Sequence, residues 1–137
     1  FKSPNVLVEI SQEDAVAKIC DIGTSKVMTD DLFVGRFVDN PIWTAPEILN
    51  DEKYDLRVDH FGFGMICYEM CTRRRPFKKS KFLTAIQNKI ISGERPMLKE
   101  KESPPDYRSI ISRCWVISKL YFNFRLKTPT IDLNGSG

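Results

Sequence analysis

The chain has one histidine, His60, and four cysteines, Cys20, Cys67, Cys71 and Cys114, that nowhere fall into C-x-x-C spacing. That scarcity argues against a zinc site and against a disulfide framework, and leaves reduced, buried thiols as the expected state. No apolar run reaches the roughly 18 residues of a membrane span, and no signal peptide opens the sequence. A soluble, cytoplasmic protein with no membrane span is therefore expected. A strong excess of charge is missing too: 21 basic against 18 acidic side chains give a net charge of +3, too balanced to point to nucleic acid as a partner. The basic cluster Arg73, Arg74, Arg75, Lys78, Lys79 and Lys81 is local and reads as a solvated loop with phosphate affinity at most. What remains is 137 residues, 42% of them hydrophobic, enough for one domain or a piece of one with a globular core.

The chain is organised around Asp59-His60-Phe61-Gly62-Phe63-Gly64-Met65-Ile66-Cys67-Tyr68-Glu69-Met70. This stretch is apolar nearly all round at helical spacing, so it predicts a helix buried on most faces. Asp59 is expected as its N-cap, Val58 and Phe63 as a hydrophobic staple, and Arg73 to Arg75 near its negative end before Pro76. Gly62 and Gly64 each cost a helix about 1 kcal/mol relative to alanine, which makes sense where another chain segment must come close.

Taken in order, Val6 to Ile10 and Ala15 to Cys20 predict two strands of a short hairpin across the polar turn Ser11 to Asp14. The hairpin ends on Asp21-Ile22-Gly23, where a carboxylate at a loop mouth can serve as a metal ligand or as ordinary turn chemistry. Gly23 to Thr44 shows no sustained period, an irregular segment of about twenty residues of the kind that is usually functional or mobile. Ala45 to Leu49 predicts a short helix with Pro46 at its first position. After Pro76-Phe77, Ser80 is expected to cap a helix carrying Phe82, Leu83, Ile86, Ile90 and Ile91 and ended by Gly93. Tyr107, Ile110, Ile111, Cys114 and Trp115 mark a further amphipathic helix. Residues 127–137 are expected to be a disordered tail.

Six short motifs then occur in one order: Lys2-Ser3-Pro4-Asn5, Asp21-Ile22-Gly23, Trp43-Thr44-Ala45-Pro46-Glu47, Asp59 with Phe63-Gly64, Arg75-Pro76-Phe77 and Arg113-Cys114-Trp115. Together they resemble the C-terminal lobe of a eukaryotic protein kinase, most closely the tyrosine-kinase-like group that mostly phosphorylates Ser or Thr. The resemblance spans residues 1–126. It implies a protein-kinase-like α+β fold: a mainly α-helical C-terminal lobe with a short β-hairpin, the N-terminal lobe absent from this stretch.

The resemblance also implies roles. The family's His-Arg-Asp would end immediately before Phe1, so the proton-accepting Asp would lie outside this sequence. Lys2 would neutralise charge on the transferring phosphoryl group, while Asn5 and Asp21 would hold Mg²⁺ against the phosphates of ATP. Leu7, with Ile66 and Met70 beneath it, would lie under the adenine, and Cys20 would face the nucleotide. Asp59 would accept hydrogen bonds from the catalytic-loop backbone, and Glu47 would pair with Arg125. Trp115 would be core. Thr24, Ser25 and Thr29 are candidate phosphosites, with unmodified loop hydroxyls the alternative.

Three departures from the family pattern stand out: Ile22 for the usual Phe, Asp39-Asn40 for the usual Gly-Thr, and Leu126 for the usual Pro after the final Arg. The implied function is transfer of the γ-phosphate of ATP to a protein Ser or Thr, possible also for Tyr, with the isolated 137 residues inactive. Besides the protein substrate, the implied partner is the covering N-terminal lobe. The alternative is a pseudokinase or scaffold remnant acting by protein–protein binding. Apolar surface of the Phe63, Met65 and Tyr68 type is expected to be exposed.

Overall fold

The computed structural model describes residues 1–27, 33, 35 and 40–125, with side chains described as far as Trp115. A 3₁₀ turn at Ser3–Asn5 leads into strand β1 (Val6–Ile10), which pairs antiparallel with β2 (Ala15–Ile19) in the register Val8 opposite Ala17. Ser11 and Asp14 close the hairpin: Asp14 N–H donates to Ser11 Oγ at 3.1 Å, and Ala15 N–H donates to Asp14 Oδ1 at 2.8 Å. Lys18 and Glu9 pair across the strands. The hairpin expected from the alternating β-branched residues is thus present with nearly its expected bounds.

The remaining elements are helical. A 3₁₀ turn at Pro41–Trp43 precedes α1 (Pro46–Leu49), followed by α2 (Val58–Thr72), α3 (Leu83–Ile91), a 3₁₀ turn at Glu100–Glu102 and α4 (Pro105–Arg125). Helix α2 is the central one. It packs along α4 and against Pro41–Trp43, while α3 rests on α1 and on the same turn. Phe61, Met65, Ile42, Ile90 and Ile111 are completely enclosed where these elements meet, and Trp115 is part of the same core.

Both helix glycines stand where a neighbour comes too close for a side chain. A Cβ built on Gly62 would lie 2.4 Å from the carbonyl oxygen of Phe1 and 3.2 Å from that of Trp43. On Gly64 it would lie 2.8 Å from Cys114 Cβ and 3.0 Å from the Trp115 ring, so this glycine sets how closely α4 approaches.

Several expectations are corrected. Asp59 is not the N-cap: α2 begins at Val58, and the lead-in turn is held by Asp55, which accepts from Arg57 N–H at 2.9 Å and from its guanidinium. Asp59 therefore sits in the first turn with its carboxylate available to another segment. Phe63 is 42% exposed and forms no staple, while Val58 packs on the core. Ser80 does not cap α3, which starts at Leu83 after an extended Phe82; Ser80 N–H instead donates to Phe77 O at 2.8 Å in the preceding turn. Met65 and Tyr68 are not exposed: at 0% and 6% exposure they lie in the core, and the Tyr68 and Trp115 rings meet at 6.2 Å. Helix α4 supplies that cover through Trp115, and its backbone runs on to Arg125, further than its apolar spacing predicts. Residues 127–137 and Asp39 lie outside the described residues.

Candidate functional site

The base of the hairpin brings the site together. The turn Ser3–Asn5 is closed by Asn5 N–H donating to Lys2 O at 3.0 Å, and across the ladder Cys20 N–H donates to Asn5 O at 2.9 Å. That second bond places the residue after Cys20 beside the Asn5 side chain, so sixteen residues of sequence collapse into one contact: Asn5 Nδ2 donates to Asp21 Oδ2 at 3.4 Å. Asp21 reaches this position in the left-handed region, φ 56°. Asn and Asp are enriched several-fold in that conformation, which is uncommon for residues other than glycine.

A cavity of about 270 Å³ opens here, with Lys2, Asn5, Asp21, Thr24, Asn40 and Asp59 on its walls. Its donor set is one carboxylate and one carboxamide at hydrogen-bond range, a lysine to one side and a second carboxylate behind. Asp59 Oδ1 lies 3.5 Å from the Phe1 backbone nitrogen, so the first turn of α2 faces the segment that carries Lys2. Gly62, one turn on, leaves room for the same segment's carbonyl. Among the described residues no group of three or more His, Cys, Asp and Glu is placed to hold a metal ion by itself. Any divalent cation here would need oxygens from a ligand or water.

The other anticipated residues fall at different distances from this cavity. Thr24 and Ser25 line an adjoining cavity of about 490 Å³ with Phe33 and Tyr54, whose rings meet at 5.8 Å. Leu7 stands exposed on β1 and Cys20 is half-buried at the end of β2; neither lines the first cavity. Ile66 is buried in the core and Met70 is exposed. Thr29 and the side chain of Arg125 lie outside the described residues, and with Arg125 the expected pairing with Glu47.

Two residues not singled out from the sequence, Arg95 and Glu69, tie this region to the helices, alongside Glu47 and Asn40 that were. Glu47 is buried on α1, and its charge acts on the guanidinium of Arg95. Burial pulls the Arg95 guanidinium below its ordinary range and the Glu47 carboxylate opposes that shift. Asn40, at a cavity wall, accepts Ile42 N–H on its Oδ1 at 3.2 Å, and its carbonyl accepts the Thr44 hydroxyl at 3.0 Å. Glu69 Oε2 accepts the Trp43 indole N–H at 3.0 Å, tying α2 to the segment before α1. The only advance sign of Arg95 was its place after the helix-ending Gly93.

All four cysteines are free thiols. Burial, with Cys114 and Cys71 adding to it, pushes the Cys67 thiol up to about 11. Burial also raises Cys114, opposed by Arg113. Both shifts disfavour the thiolate, the reactive form of a cysteine. Among the described residues no helix is long and apolar enough to cross a membrane.

The sequence model of the protein kinase domain matches residues 1–120. Over 118 residues the chain is 40% identical to a probable serine/threonine-protein kinase, pats1, of Dictyostelium discoideum, covering 84% of this chain and 4% of that protein. It is 35% identical over 120 residues to cyclic GMP-binding protein C of the same organism, covering 84% and 4%. A putative serine/threonine-protein kinase/receptor of Acanthamoeba polyphaga mimivirus, R818, is 33% identical over 115 residues, covering 84% and 7%. The chain thus spans a small part of the length of each of these relatives. With the family model matching most of its residues, the chain belongs to the protein kinase domain family.

Proposed function

We propose that this chain is the C-terminal-lobe part of a protein kinase of the tyrosine-kinase-like group, whose full polypeptide transfers the γ-phosphate of ATP to Ser or Thr of a protein substrate in the cytoplasm. The observation that carries the reading is the Asn5 to Asp21 contact at 3.4 Å on a cavity shared with Lys2. The donor set fits magnesium: hard oxygen atoms, few protein ligands and open positions for phosphate and water. Asn5 donates through Nδ2, which leaves its carbonyl oxygen free to ligate beside the Asp21 carboxylate. Bound Mg²⁺ would supply neutralisation of the charge that develops on the phosphates.

The chain's own residues prepare that step. Asp21 and Asn5 hold the cation side of the phosphates, and Lys2 places a positive charge against the group in transfer. Asp59, in the first turn of a helix buried in the core, faces the segment bearing Lys2, and Gly62 admits it. By the family resemblance the carboxylate that receives the substrate proton would stand just ahead of the Lys2 segment, so the reading is tested on the full-length protein. Thr24 and Ser25, on the adjoining cavity, are offered as phosphorylation sites of the activation segment.

One feature favours the alternative of a non-catalytic binding module. Asn40, standing where the family has a threonine, has its side chain engaged in the turn at Ile42. One experiment separates the readings. In the full-length protein, Lys2→Ala and Asp21→Asn are each expected to lower MgATP-dependent labelling of a protein substrate by about a hundredfold or more while the fold is retained. Labelling that is absent in the parent, or equal in parent and variants, assigns the chain to the binding-module class.

A further inference from the structure

Residues 70–93 carry seven Lys and Arg and no Asp or Glu, in a protein otherwise slightly richer in acids than bases. Two of the seven are spent within the fold: Arg74 Nη2 donates to Glu102 Oε1 at 2.6 Å, and Lys89 Nζ pairs with Glu94 Oε1 at 2.7 Å. Arg73, Lys78, Lys79 and Lys81 are exposed and form no ion pair with the described residues. Arg75, also exposed, lays its guanidinium over the Trp43 ring, 5.7 Å from the centroid. Like charges this dense repel one another, and a fold that leaves them uncompensated has a standing affinity for an acidic partner.

The position of the cluster says which partner. Arg75 lines a cavity of about 310 Å³ together with Lys2, Ser3, Asn40, Trp43 and Glu69. Lys2, Asn40 and Trp43 also line the cavity that holds Asn5 and Asp21. An extended segment with its hydroxyl at the phosphate-transfer site would therefore run past Trp43 to Arg75 and onto the loop between α2 and α3. Glu69, the one carboxylate among the residues lining that cavity, has Oε2 committed to the Trp43 indole N–H.

We propose that this basic loop is a specificity surface that selects protein substrates carrying Asp, Glu or phosphorylated residues on one side of the accepting hydroxyl. The inference rests on the kinase reading and deepens it. Nucleic acid and anionic membrane fit less well, because neither accounts for the continuity from the loop through Trp43 to Lys2.

The test uses the full-length protein and synthetic peptides with one Ser or Thr acceptor, flanked on either side by Asp/Glu, Ala or Lys/Arg. Several exposed ion pairs acting together are expected to raise kcat/KM for the acidic peptide about fivefold over the Ala peptide, through KM and on one flank only. The preference shrinks with added salt. Combining Lys78→Ala, Lys79→Ala and Lys81→Ala is expected to bring the acidic peptide to the Ala level, with the KM for MgATP and turnover of the Ala peptide unchanged. Equal kcat/KM for acidic and Ala peptides, or a preference that survives in the triple variant, overturns the inference and leaves the kinase reading standing. So does indifference to peptide charge combined with lysine-dependent binding to phosphatidylserine-containing vesicles, which assigns the loop to a membrane. Transfer to none of the peptides overturns the kinase reading and this inference with it.

Discussion

Gly62 and Gly64 occupy the interior of a helix, where glycine is unfavourable by about 1 kcal/mol relative to alanine, because at each a neighbour leaves no room for a methyl group. At Gly62 the neighbour is the Phe1 carbonyl, and backbone cannot swing aside as a flexible side chain can. Gly62→Ala is expected to destabilise the domain by about 1 to 3 kcal/mol despite its better helix propensity, and to displace the Lys2 segment. The check is a denaturant midpoint; a rise of the size alanine gives at an open helix position would refute the close approach. Asp21 is a parallel case in which chemistry and conformation coincide. Its sequence neighbours suggested a loop carboxylate, and its left-handed backbone shows the conformation in which that carboxylate is presented to Asn5.

Among the elements, α2 is the one the others are fitted to, and Arg95 shows how. Its guanidinium lies 5.1 Å from the Phe61 ring centroid on α2, donates to Ile90 O at 3.1 Å at the end of α3, and reaches Trp115 O at 3.4 Å on α4. One planar cation thus closes three helices and sits near the buried Glu47 of α1. Arg95→Ala is expected to cost about 2 to 4 kcal/mol, and Arg95→Lys about half of that, since an ammonium keeps the charge but not the fork of donors. Thermal unfolding of the two variants tests this; a loss under about 0.5 kcal/mol for alanine would reduce Arg95 to a surface residue. None of this was visible in the chain, because Arg95 follows a helix end and meets its partners only through tertiary packing. The hairpin, by contrast, was legible to within a residue, since strand pairing across a four-residue turn is a local event.

Across the whole molecule, burial is uneven. The helical part encloses a continuous core, whereas the hairpin keeps Leu7, Val8, Ile10, Val16 and Ile19 open to solvent, with Ile10 at 79% exposure. A two-stranded ribbon with apolar residues on both faces is marginal by itself and marks a surface that takes a cover, in the proposed reading the N-terminal lobe. The 137-residue polypeptide is expected to bind an apolar fluorescent dye and to associate. Leu7→Lys with Ile10→Lys should reduce both while leaving far-UV helix content unchanged; dye binding unaffected by these changes would place the sticky surface elsewhere.

Local chemistry was enough to announce several features. Alternating β-branched residues announced the hairpin, an apolar run the buried central helix, Pro46 the start of α1, and six motifs in order the kinase family. Each depends on short-range periodicity or on residue types at fixed spacing. Packing between distant segments decided the rest: cover over Tyr68 from Trp115 of α4, Arg95 beside Glu47, and Asn5 against Asp21. Those outcomes depend on which surfaces meet, and only the folded chain sets that.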